Sequence, residues 1–541
     1  MDILNQIREN ADAFSDRPAI ISENGSVTWR GLYDGSRRLA ERINNMCAPG
    51  SRAPLVVCGH KSPYMIMSML ACAYAGHAYC PVDISMPAER VADIIDAVSP
   101  EIVLAAEESA LDLLPQDGGF FLMPPRMITE TADGITDPQQ GYELIRPVSG
   151  EETFYIIFTS GSTGKPKGVE ITANNLNNYL DWILDVGADR SSKFGRVFIN
   201  QAPFSFDLSV MDLYQCLACC GTLWTLSHNT VKNYSKLIYS LGRSSAHVWV
   251  STPSFADICL ADPTFSCDLM PCLSVFLFCG ETLTVNTVRR LHERFPDAVV
   301  VNTYGPTEST VAVTDVVVTH EMCADGGALP VGRAKPGTVV YVEAAGGAGS
   351  RAGACSSAGD GAARSVDRTS GDGVSGSGVT GEIIIAGNTV AKGYFNMPEK
   401  TSESFFETEI NGRRMRAYRT GDLGYISDDG MLHYCGRMDN QIKLHGYRIE
   451  TEDIESNLTA LDGISKAAVI PSEKDGKIKS LTAYIICDND SGSSPDAHSV
   501  KEKLRMRLPD YMIPKKIIFV HELPLTPNGK VDRKALKGEL K

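Results

Sequence analysis

A ten-residue segment rich in glycine, hydroxyl and lysine side chains is the first place where this sequence could do chemistry. Residues 159–168 read Thr-Ser-Gly-Ser-Thr-Gly-Lys-Pro-Lys-Gly and follow the apolar run 154–158. Glycines let backbone N–H groups point into one loop, and hydroxyls and lysines add donors and charge, which suits a polyphosphate. The segment is not a Walker A loop, because Thr159 replaces the first glycine and Pro166 replaces the magnesium-binding hydroxyl. A flexible polar turn is the alternative interpretation.

A second polar segment follows the apolar run 298–301. It consists of Asn302, Thr303, Tyr304, Gly305, Pro306, Thr307 and Glu308. Gly-Pro makes a sharp turn at a strand end, where α/β proteins place ligands. Tyr304 could stack on an adenine ring, and Glu308 could help to hold Mg²⁺. A purely structural turn is the alternative.

Three carboxylate or lysine positions elsewhere also suggest ligand contacts. Asp422 lies on a turn and suits the two hydroxyls of a ribose, while residues 528–533 form a turn that presents Lys530. Asp207 lies in the apolar run 202–208, where an unpaired carboxylate is costly and a cationic ligand would offset the cost. A surface or helix-capping role is the alternative for Asp207.

The elements that must position these residues read as an α/β pattern. Short apolar runs at 154–158, 274–278 and 298–301 suit strands buried on both faces. Over residues 344–380 the composition changes abruptly to Gly, Ala, Ser and Asp. This composition predicts a long exposed loop inserted between strands at 339–342 and 382–385. We predict a large domain over 1–435 that contains this insertion and a small domain over 441–541, with the boundary between them over 436–440.

Length and charge exclude several classes of protein. At 541 residues the chain is longer than the roughly 250–300 residues at which a single hydrophobic core stops growing, so at least two domains are expected. A formal net charge of -15 argues against a nucleic-acid binder and against binding to an anionic membrane surface. The apolar stretch 65–82 contains Gly76 and Pro81, so a buried helix, a stop at Gly76 and a short strand fit better than a membrane span.

The cysteines and the first residues indicate a cytoplasmic protein. The start lacks the basic and apolar regions of a signal peptide. The 15 cysteines are irregularly spaced, which argues against a disulfide framework. Cys216, Cys219 and Cys220 superficially resemble metal ligands but lie in an apolar segment, which favours buried thiols.

Taken together, the order and spacing of these segments resemble the adenylate-forming superfamily, which includes amino-acid-activating domains, acyl-CoA synthetases and luciferases. Matching segments at 78–83, 381–385, 391–394, 436–450 and 508–514 extend the resemblance from about Val27 to Arg533. The resemblance implies an α/β fold with a large N-terminal domain of layered sheets and helices, and a small mobile α+β C-terminal domain.

Within the superfamily, Asp207 occupies the position that binds the α-ammonium of an amino acid. Segments 200–214, 251–255, 278–281 and 443–448 look like the family of D-alanine–D-alanyl carrier protein ligases. In that family the Cys before Gly-Glu lines the side-chain pocket and helps to select the D enantiomer, and Cys279 matches it. The insertion 344–380 departs from the shorter strand connection of that family.

The resemblance implies a two-step ligase that uses ATP and Mg²⁺. The D-alanine carboxylate attacks the α-phosphate and releases pyrophosphate, and the phosphopantetheine thiol of a small acidic carrier protein then attacks the acyl-adenylate, which feeds D-alanylation of teichoic acids. Catalysis is then positioning and charge stabilisation. The implied ATP-binding residues are Thr159, Ser160, Gly161, Thr163, Lys167, Asn302, Thr303, Tyr304, Gly305, Pro306, Thr307, Asp422, Tyr434, Cys435, Gly436, Arg437 and Lys530.

The same resemblance assigns the remaining roles. Lys530 is the catalytic residue between the α-phosphate and the carboxylate, and Asp207, Cys279 and Val311 also contact the substrate. Glu308 holds the metal. Because Lys530 would block the thiol, the C-terminal domain must rotate between the steps, with the hinge at Asp439. Residues 514–541 hold seven Lys/Arg and three Asp/Glu, and this basic region could help to dock the carrier.

Three other functions remain possible at this point. A free-standing adenylation domain for another small amino acid would share every motif above. An acyl- or aryl-CoA synthetase is disfavoured by Asp207, whose charge would face an acyl chain. An inactive nucleotide-binding sensor is disfavoured because Lys530, Asp422 and the phosphate loop are all present.

Overall fold

The fold is taken from a computed structural model of the chain. It describes residues 1–23, 25–135, 146–161, 164–187, 194–324, 326–344, 351–355, 379–474, 477–487, 495–525 and 531–539. Thr163 and Lys530 lie outside the described residues, as does most of the insertion 344–380.

The first 135 residues alternate strands and helices. The helices are α1 Ile3–Ala13, α2 Trp29–Met46, α3 Pro63–Ala75, α4 Ala88–Val98 and α5 Pro125–Ala132. The strands are β1 Pro18–Ser22, β2 Gly25–Thr28, β3 Leu55–Gly59, β4 Tyr79–Asp83, β5 Ile102–Ala105 and β6 Phe121–Met123. Helix α3 is apolar on all sides and ends at Gly76, so the predicted buried helix, stop and short strand are confirmed.

Residues 146–344 continue the alternation. The strands are β7 Thr153–Thr159, β8 Lys167–Thr172, β9 Val197–Asn200, β10 Thr222–Thr225, β11 Val248–Ser251, β12 Val275–Phe278, β13 Val299–Tyr304, β14 Thr314–Val317, β15 Arg333–Ala334 and β16 Thr338–Ala344. The helices are α6 Ala173–Ile183, α7 Leu208–Ala218, α8 His228–Lys232, α9 Tyr234–Arg243, α10 Pro253–Leu260, α11 Val285–Arg294 and α12 His320–Ala324. The strands predicted at 154–158, 274–278 and 298–301 are confirmed.

The next stretch is mostly strand. It comprises β17 Arg351–Cys355, β18 Gly381–Gly387, β19 Gly393–Tyr394, α13 Pro398–Ser404, β20 Phe405–Ile410, β21 Arg413–Ile426 and β22 Leu432–Arg437. β16 and β18 pair antiparallel, as expected for strands that flank the insertion. β17 pairs with the other edge of β16, so part of the insertion is strand and not loop. Backbone hydrogen bonds to a sheet edge do not require apolar side chains.

The C-terminal part has its own elements. They are β23 Gln441–Leu444, β24 Tyr447–Glu450, α14 Thr451–Thr459, β25 Ile464–Lys474, β26 Lys477–Cys487, α15 Ala497–Arg505, β27 Lys516–Phe519 and α16 Arg533–Glu539. Its two apolar clusters draw only on residues 442–536. This part therefore folds around its own core, on an antiparallel hairpin β23–β24 and the three-stranded sheet β25–β26–β27.

Three larger sheets carry the rest of the described chain. Their strand orders are β15-β14-β13-β12-β11-β9-β10-β1-β2, β19-β8-β7-β4-β3-β5-β6, and β17-β16-β18-β21-β20 with β22 on β21. The protein is therefore an α/β fold with a large N-terminal part and a small C-terminal part. In the described part of the chain, no helix is long and apolar enough to span a membrane.

Candidate active site

Parallel strands bring distant segments of the sequence to one sheet edge. β11, β12 and β13 are parallel, and Ser251, Phe278 and Asn302 are aligned at their carboxyl ends. Residues that follow these strands, including Thr252, Cys279 and Gly305, therefore meet at this edge. This is where ligands bind in open α/β sheets.

A cavity at this edge, which we call the Asp207 pocket, collects the predicted substrate contacts. Its lining includes Asp207, Cys279, Pro306, Thr307, Val311 and Asp422, together with Lys443, His445, Gly446, Tyr447 and Arg448 from the C-terminal part. The predicted substrate residues that the structure describes are thus brought together.

Asp207 faces this pocket and does not cap a helix. It immediately precedes α7, yet its side chain makes no capping hydrogen bond and instead accepts one from Thr307 Oγ1 at 2.6 Å. Burial raises the pKa of Asp207, and the Thr307 hydrogen bond and the charge of Lys443 oppose that rise. A cationic group of a ligand would stabilise the charged carboxylate here.

Cys279 and Val311 form the apolar side of the pocket. Cys279 is buried, and its Sγ lies 3.8 Å from the Val311 carbonyl oxygen. Burial raises the pKa of the Cys279 thiol, so it is a neutral space-filling group at neutral pH. Val311 has φ of 69°, a left-handed conformation that is strained for a β-branched residue. Strain of this kind is typical of functional sites.

A glycine allows this strained turn to pack against the strand end. A Cβ added to Gly305 would lie 2.6 Å from Ala312 Cα and 2.8 Å from the Val311 carbonyl oxygen. We expect Gly305→Ala to displace the turn and to lower activity in pyrophosphate exchange by roughly tenfold or more, up to the roughly 100-fold that a misplacement of about 1 Å can cost. Gly327→Ala is the control, because a Cβ there meets nothing within 4 Å. Equal activity of the two variants would contradict the expectation.

A second cavity, the Tyr304 cleft, collects eight of the predicted nucleotide contacts, whereas Pro306, Thr307 and Asp422 line the Asp207 pocket. The cleft is lined by Asn302, Thr303, Tyr304, Gly305, Tyr434, Cys435, Gly436 and Arg437, and on its other side by residues of the C-terminal part. Asn302 and Thr303 have their side chains bonded to the carbonyls of Pro330 (2.8 Å) and Phe278 (2.9 Å), so these groups fix the wall of the cleft.

Asp422 and Arg437 lie where the Asp207 pocket and the Tyr304 cleft meet. Asp422 and Arg437 are opposite each other in the antiparallel pair β21–β22, and Arg437 Nη1 donates to Asp422 Oδ1 at 2.7 Å. The other Asp422 oxygen accepts from the Tyr304 hydroxyl at 2.6 Å. Arg437 also donates two hydrogen bonds of 2.6 Å to Asp439. Burial by itself lowers the pKa of Arg437, but these two carboxylates raise it above its ordinary value.

The glycine-rich segment forms the turn between two antiparallel strands. It joins β7 to β8, unlike a Walker A loop, which leads into a helix. Thr159 and Ser160 line a third, smaller cavity with Asp207, Thr307 and Arg448, and Gly161 is buried beside them.

Glu308 is surrounded by cations. Its carboxylate accepts from Arg448 Nη1 at 2.7 Å and from the Tyr394 hydroxyl at 2.8 Å, and lies 3.8 Å from Lys167 Nζ. Burial by itself would raise the pKa of Glu308, but the charges of Arg448 and Lys167 lower it to about 2. Burial, reinforced by the charge of Arg448, lowers the pKa of Lys167 to about 8. The predicted metal ligand is therefore engaged by protein cations in this arrangement.

The hairpin of β23 and β24, residues 441–450, crosses the site. Arg448 reaches Glu308, and Ser160 Oγ donates to the Arg448 carbonyl (3.0 Å) and accepts from the Glu450 amide (3.2 Å). Gly446 has φ of 84°, and a Cβ on it would lie 2.3 Å from Thr252 Cγ2. Residues 443–448 belong to the segments that carry the family resemblance, and the charged side chains near Gly446 are the sequence signal that points to a place in the site.

Comparison with known protein families agrees with this geometry. Residues 7–395 match the AMP-binding enzyme family, and residues 453–530 match the AMP-binding enzyme C-terminal domain. The chain belongs to the AMP-binding enzyme family.

Curated relatives narrow this assignment. A D-alanine--D-alanyl carrier protein ligase of Bacillus licheniformis is 42% identical over 542 residues, covering 100% of both chains. One of Bacillus anthracis is 40% identical over 547 residues, again with 100% coverage of both. Within the AMP-binding enzymes, the chain belongs with the D-alanine–D-alanyl carrier protein ligases.

Solved structures share the fold. Holo-PA1221, an NRPS protein containing adenylation and PCP domains bound to a vinylsulfonamide inhibitor, superposes with a TM-score of 0.78 at 27% identity, covering 99% of this chain and 84% of that one. The Vibrio cholerae adenylation domain AlmE, in complex with glycyl-adenosine-5'-phosphate, gives a TM-score of 0.78 at 22% identity, with 100% and 97% coverage.

Proposed function

We propose that this protein activates D-alanine with ATP and transfers it to the phosphopantetheine thiol of a small acidic carrier protein. The observation that supports this most directly is that Asp207 and Cys279 line the same pocket. Asp207 offers a carboxylate to the α-ammonium of the substrate, and Cys279 offers a small apolar group to its side chain. The full-length identity to curated D-alanine–D-alanyl carrier protein ligases supports the same substrate.

In the first half-reaction a D-alanine carboxylate oxygen attacks the α-phosphorus of ATP, and pyrophosphate leaves. Tyr304 and the cleft around it bind the nucleotide base, and Asp422 with Arg437 orients the ribose. The loop 159–168 and Lys167 bind the β- and γ-phosphates. Lys530 stabilises the charge that develops between carboxylate and phosphate. The protein supplies position and charge and no nucleophile.

In the second half-reaction the carrier thiol attacks the acyl carbon, and AMP leaves as the thioester forms. We infer that the orientation described here serves this step, because the hairpin 441–450 lies in the site. Val531, which follows Lys530 in the chain, is partly buried against a core cluster of the C-terminal part, so Lys530 must travel with that part when it rotates. We propose Asp439, held by Arg437, as the hinge.

Glu308 fits a magnesium ion only when the hairpin withdraws. Its carboxylate and the neighbouring Thr307 hydroxyl are the oxygen donors that Mg²⁺ prefers. In the present orientation Arg448 and Tyr394 bond to that carboxylate. Bound there with ATP, the metal would neutralise phosphate charge. We place the reaction in the cytoplasm, where ATP is available and thiols stay reduced.

The test is ATP–pyrophosphate exchange over D- and L-amino acids and short carboxylic acids, followed by transfer to a phosphopantetheinylated carrier protein. We expect exchange with D-alanine well above that with every other acid, and a D-alanyl thioester on the carrier. Exchange with another small amino acid in preference to D-alanine would favour a free-standing adenylation domain. A response only to fatty or aryl acids would overturn the proposal.

Cys279 is expected to control the choice of enantiomer. Removing its Sγ with Cys279→Ala or Cys279→Gly opens space against Val311, so L-alanine or larger residues gain access. Because a methylene-sized change in an apolar pocket changes discrimination by roughly 10-fold or more, we expect the D/L ratio in pyrophosphate exchange to fall by about that factor. Cys259→Ala, which alters a buried thiol in a separate core cluster, is the control. An unchanged D/L ratio would refute the role.

A further inference from the structure

Lys477 of the C-terminal part lines the Tyr304 cleft but is not among the predicted ligand contacts, and it forms a charged contact with the N-terminal part. The Lys477 ammonium, at the start of β26, donates to the Asp257 carboxylate on α10 and lies 3.2 Å from Thr287 Oγ1 on α11. Thr287 also donates to the other Asp257 oxygen at 2.8 Å. The Lys477 side chain is only 10% exposed, so water and salt screen this contact less than a surface ion pair.

Glu281 makes a second contact to the same helix and to the hairpin. One carboxylate oxygen accepts from the Ser254 amide in the first turn of α10 at 3.0 Å. The other accepts from the Gly446 amide at the tip of the hairpin at 2.9 Å. Glu281 therefore satisfies a free N–H at the start of α10 and fixes the hairpin tip over the Asp207 pocket.

Both contacts join the C-terminal part to the N-terminal part in the orientation described here. Lys477 and Gly446 follow the proposed hinge Asp439 in the sequence, whereas Asp257 and Glu281 precede it. A rotation that removes the hairpin from the pocket moves Lys477 as well, because both belong to the part that has its own core. Contacts that form in one of two states stabilise that state alone.

We propose that Glu281, Asp257 and Lys477 are positioning residues for the thioester-forming half-reaction. They hold the C-terminal part in the orientation in which the hairpin covers the pocket, and they make no contribution to adenylation. The inference rests on the proposed function, since it assigns these residues to the second of its two steps. Weakening either contact lowers the population of the transfer orientation.

Charge reversal at Lys477 and at Asp257, separately and together, tests the inference. Lys477→Glu and Asp257→Lys are each expected to slow single-turnover transfer from preformed D-alanyl adenylate to the carrier by about tenfold, within the usual range of coupling between states. Pyrophosphate exchange should stay within about twofold of the unmodified enzyme. The double variant should recover transfer. Lys479→Glu makes the same charge change at an exposed position of the same strand and should change neither step.

A KM-against-kcat comparison separates positioning from carrier docking. The loss in Lys477→Glu should appear in the transfer rate at saturating carrier and not in KM for the carrier. In Glu281→Gln one of the two carboxylate oxygens becomes an NH2 group, so only one of the two N–H donors keeps its acceptor. This variant should also lose transfer rate at saturating carrier without a change in KM for the carrier.

Three results would overturn the inference: unchanged transfer in both Lys477→Glu and Glu281→Gln, an equal loss of both half-reactions, or a loss confined to KM for the carrier. Failure of the proposed function is a different result, since it would appear as no exchange with D-alanine in the unmodified enzyme.

Discussion

Asp207→Ala is expected to lower kcat/KM for D-alanine in pyrophosphate exchange by more than 100-fold. The Asp207 carboxylate lines the pocket together with Cys279 and accepts a hydrogen bond from the Thr307 hydroxyl. Removing one member of a buried charge pair costs about 3–5 kcal/mol, and here the other member would be the substrate α-ammonium.

Asp207→Asn gives the sharper version of this experiment. The amide keeps the shape of the side chain and can still accept from the Thr307 hydroxyl, but it has no charge to offer the ammonium. We expect a loss nearly as large as that of the alanine variant, with KM for ATP within a few-fold of the unmodified enzyme. If Asp207→Asn retained most of the activity, Asp207 would act through structure, and the ammonium of the substrate would lie elsewhere.

Lys530→Ala is expected to remove most of the adenylation activity and to spare the transfer step. Loss of one donor to a developing anion costs about 2.7–4 kcal/mol, or 100- to 1000-fold in rate. In the orientation that we assign to transfer, the pocket is lined by Lys443, Gly446 and Arg448 of the hairpin. Transfer from preformed D-alanyl adenylate should therefore proceed at a rate close to that of the unmodified enzyme.

The control for Lys530→Ala is Lys503→Ala, which removes an exposed lysine on α15 of the same C-terminal part, outside the basic region 514–541. It should leave both half-reactions intact. An equal loss of adenylation and transfer in Lys530→Ala would contradict a role restricted to the first step, and would also weaken the case for a rotating C-terminal part.

The two largest expected effects concern opposite ends of one reacting molecule. We propose that Asp207 fixes the ammonium and that Lys530 acts at the carboxylate. A small amino acid leaves little surface for binding, so we expect recognition to depend on its charges and on the size limit set by Cys279.

Local sequence patterns were sufficient to predict the α/β character of the large N-terminal part and several of its strands. The apolar runs at 154–158, 274–278 and 298–301 became buried strands, and Gly76 ended α3, because continuous apolar runs and a left-handed glycine cap are local signals. The prediction for the insertion was wrong in one respect, since residues 351–355 form a strand. Pairing at a sheet edge depends on a neighbouring strand and leaves little trace in the composition.

The sequence alone indicated the segments 159–168 and 302–308 and Asp207 as candidates for ligand binding, because their residue types carry the chemistry. Cys279 was indicated only by the resemblance to a family. The tertiary structure decided which groups are engaged with which. It pairs Asp422 with Tyr304 and Arg437, puts Arg448 on Glu308, and joins Lys477 to Asp257. These partners lie 15 to 220 positions apart in the sequence, and only the parallel strands and the docking of the C-terminal part bring them into contact.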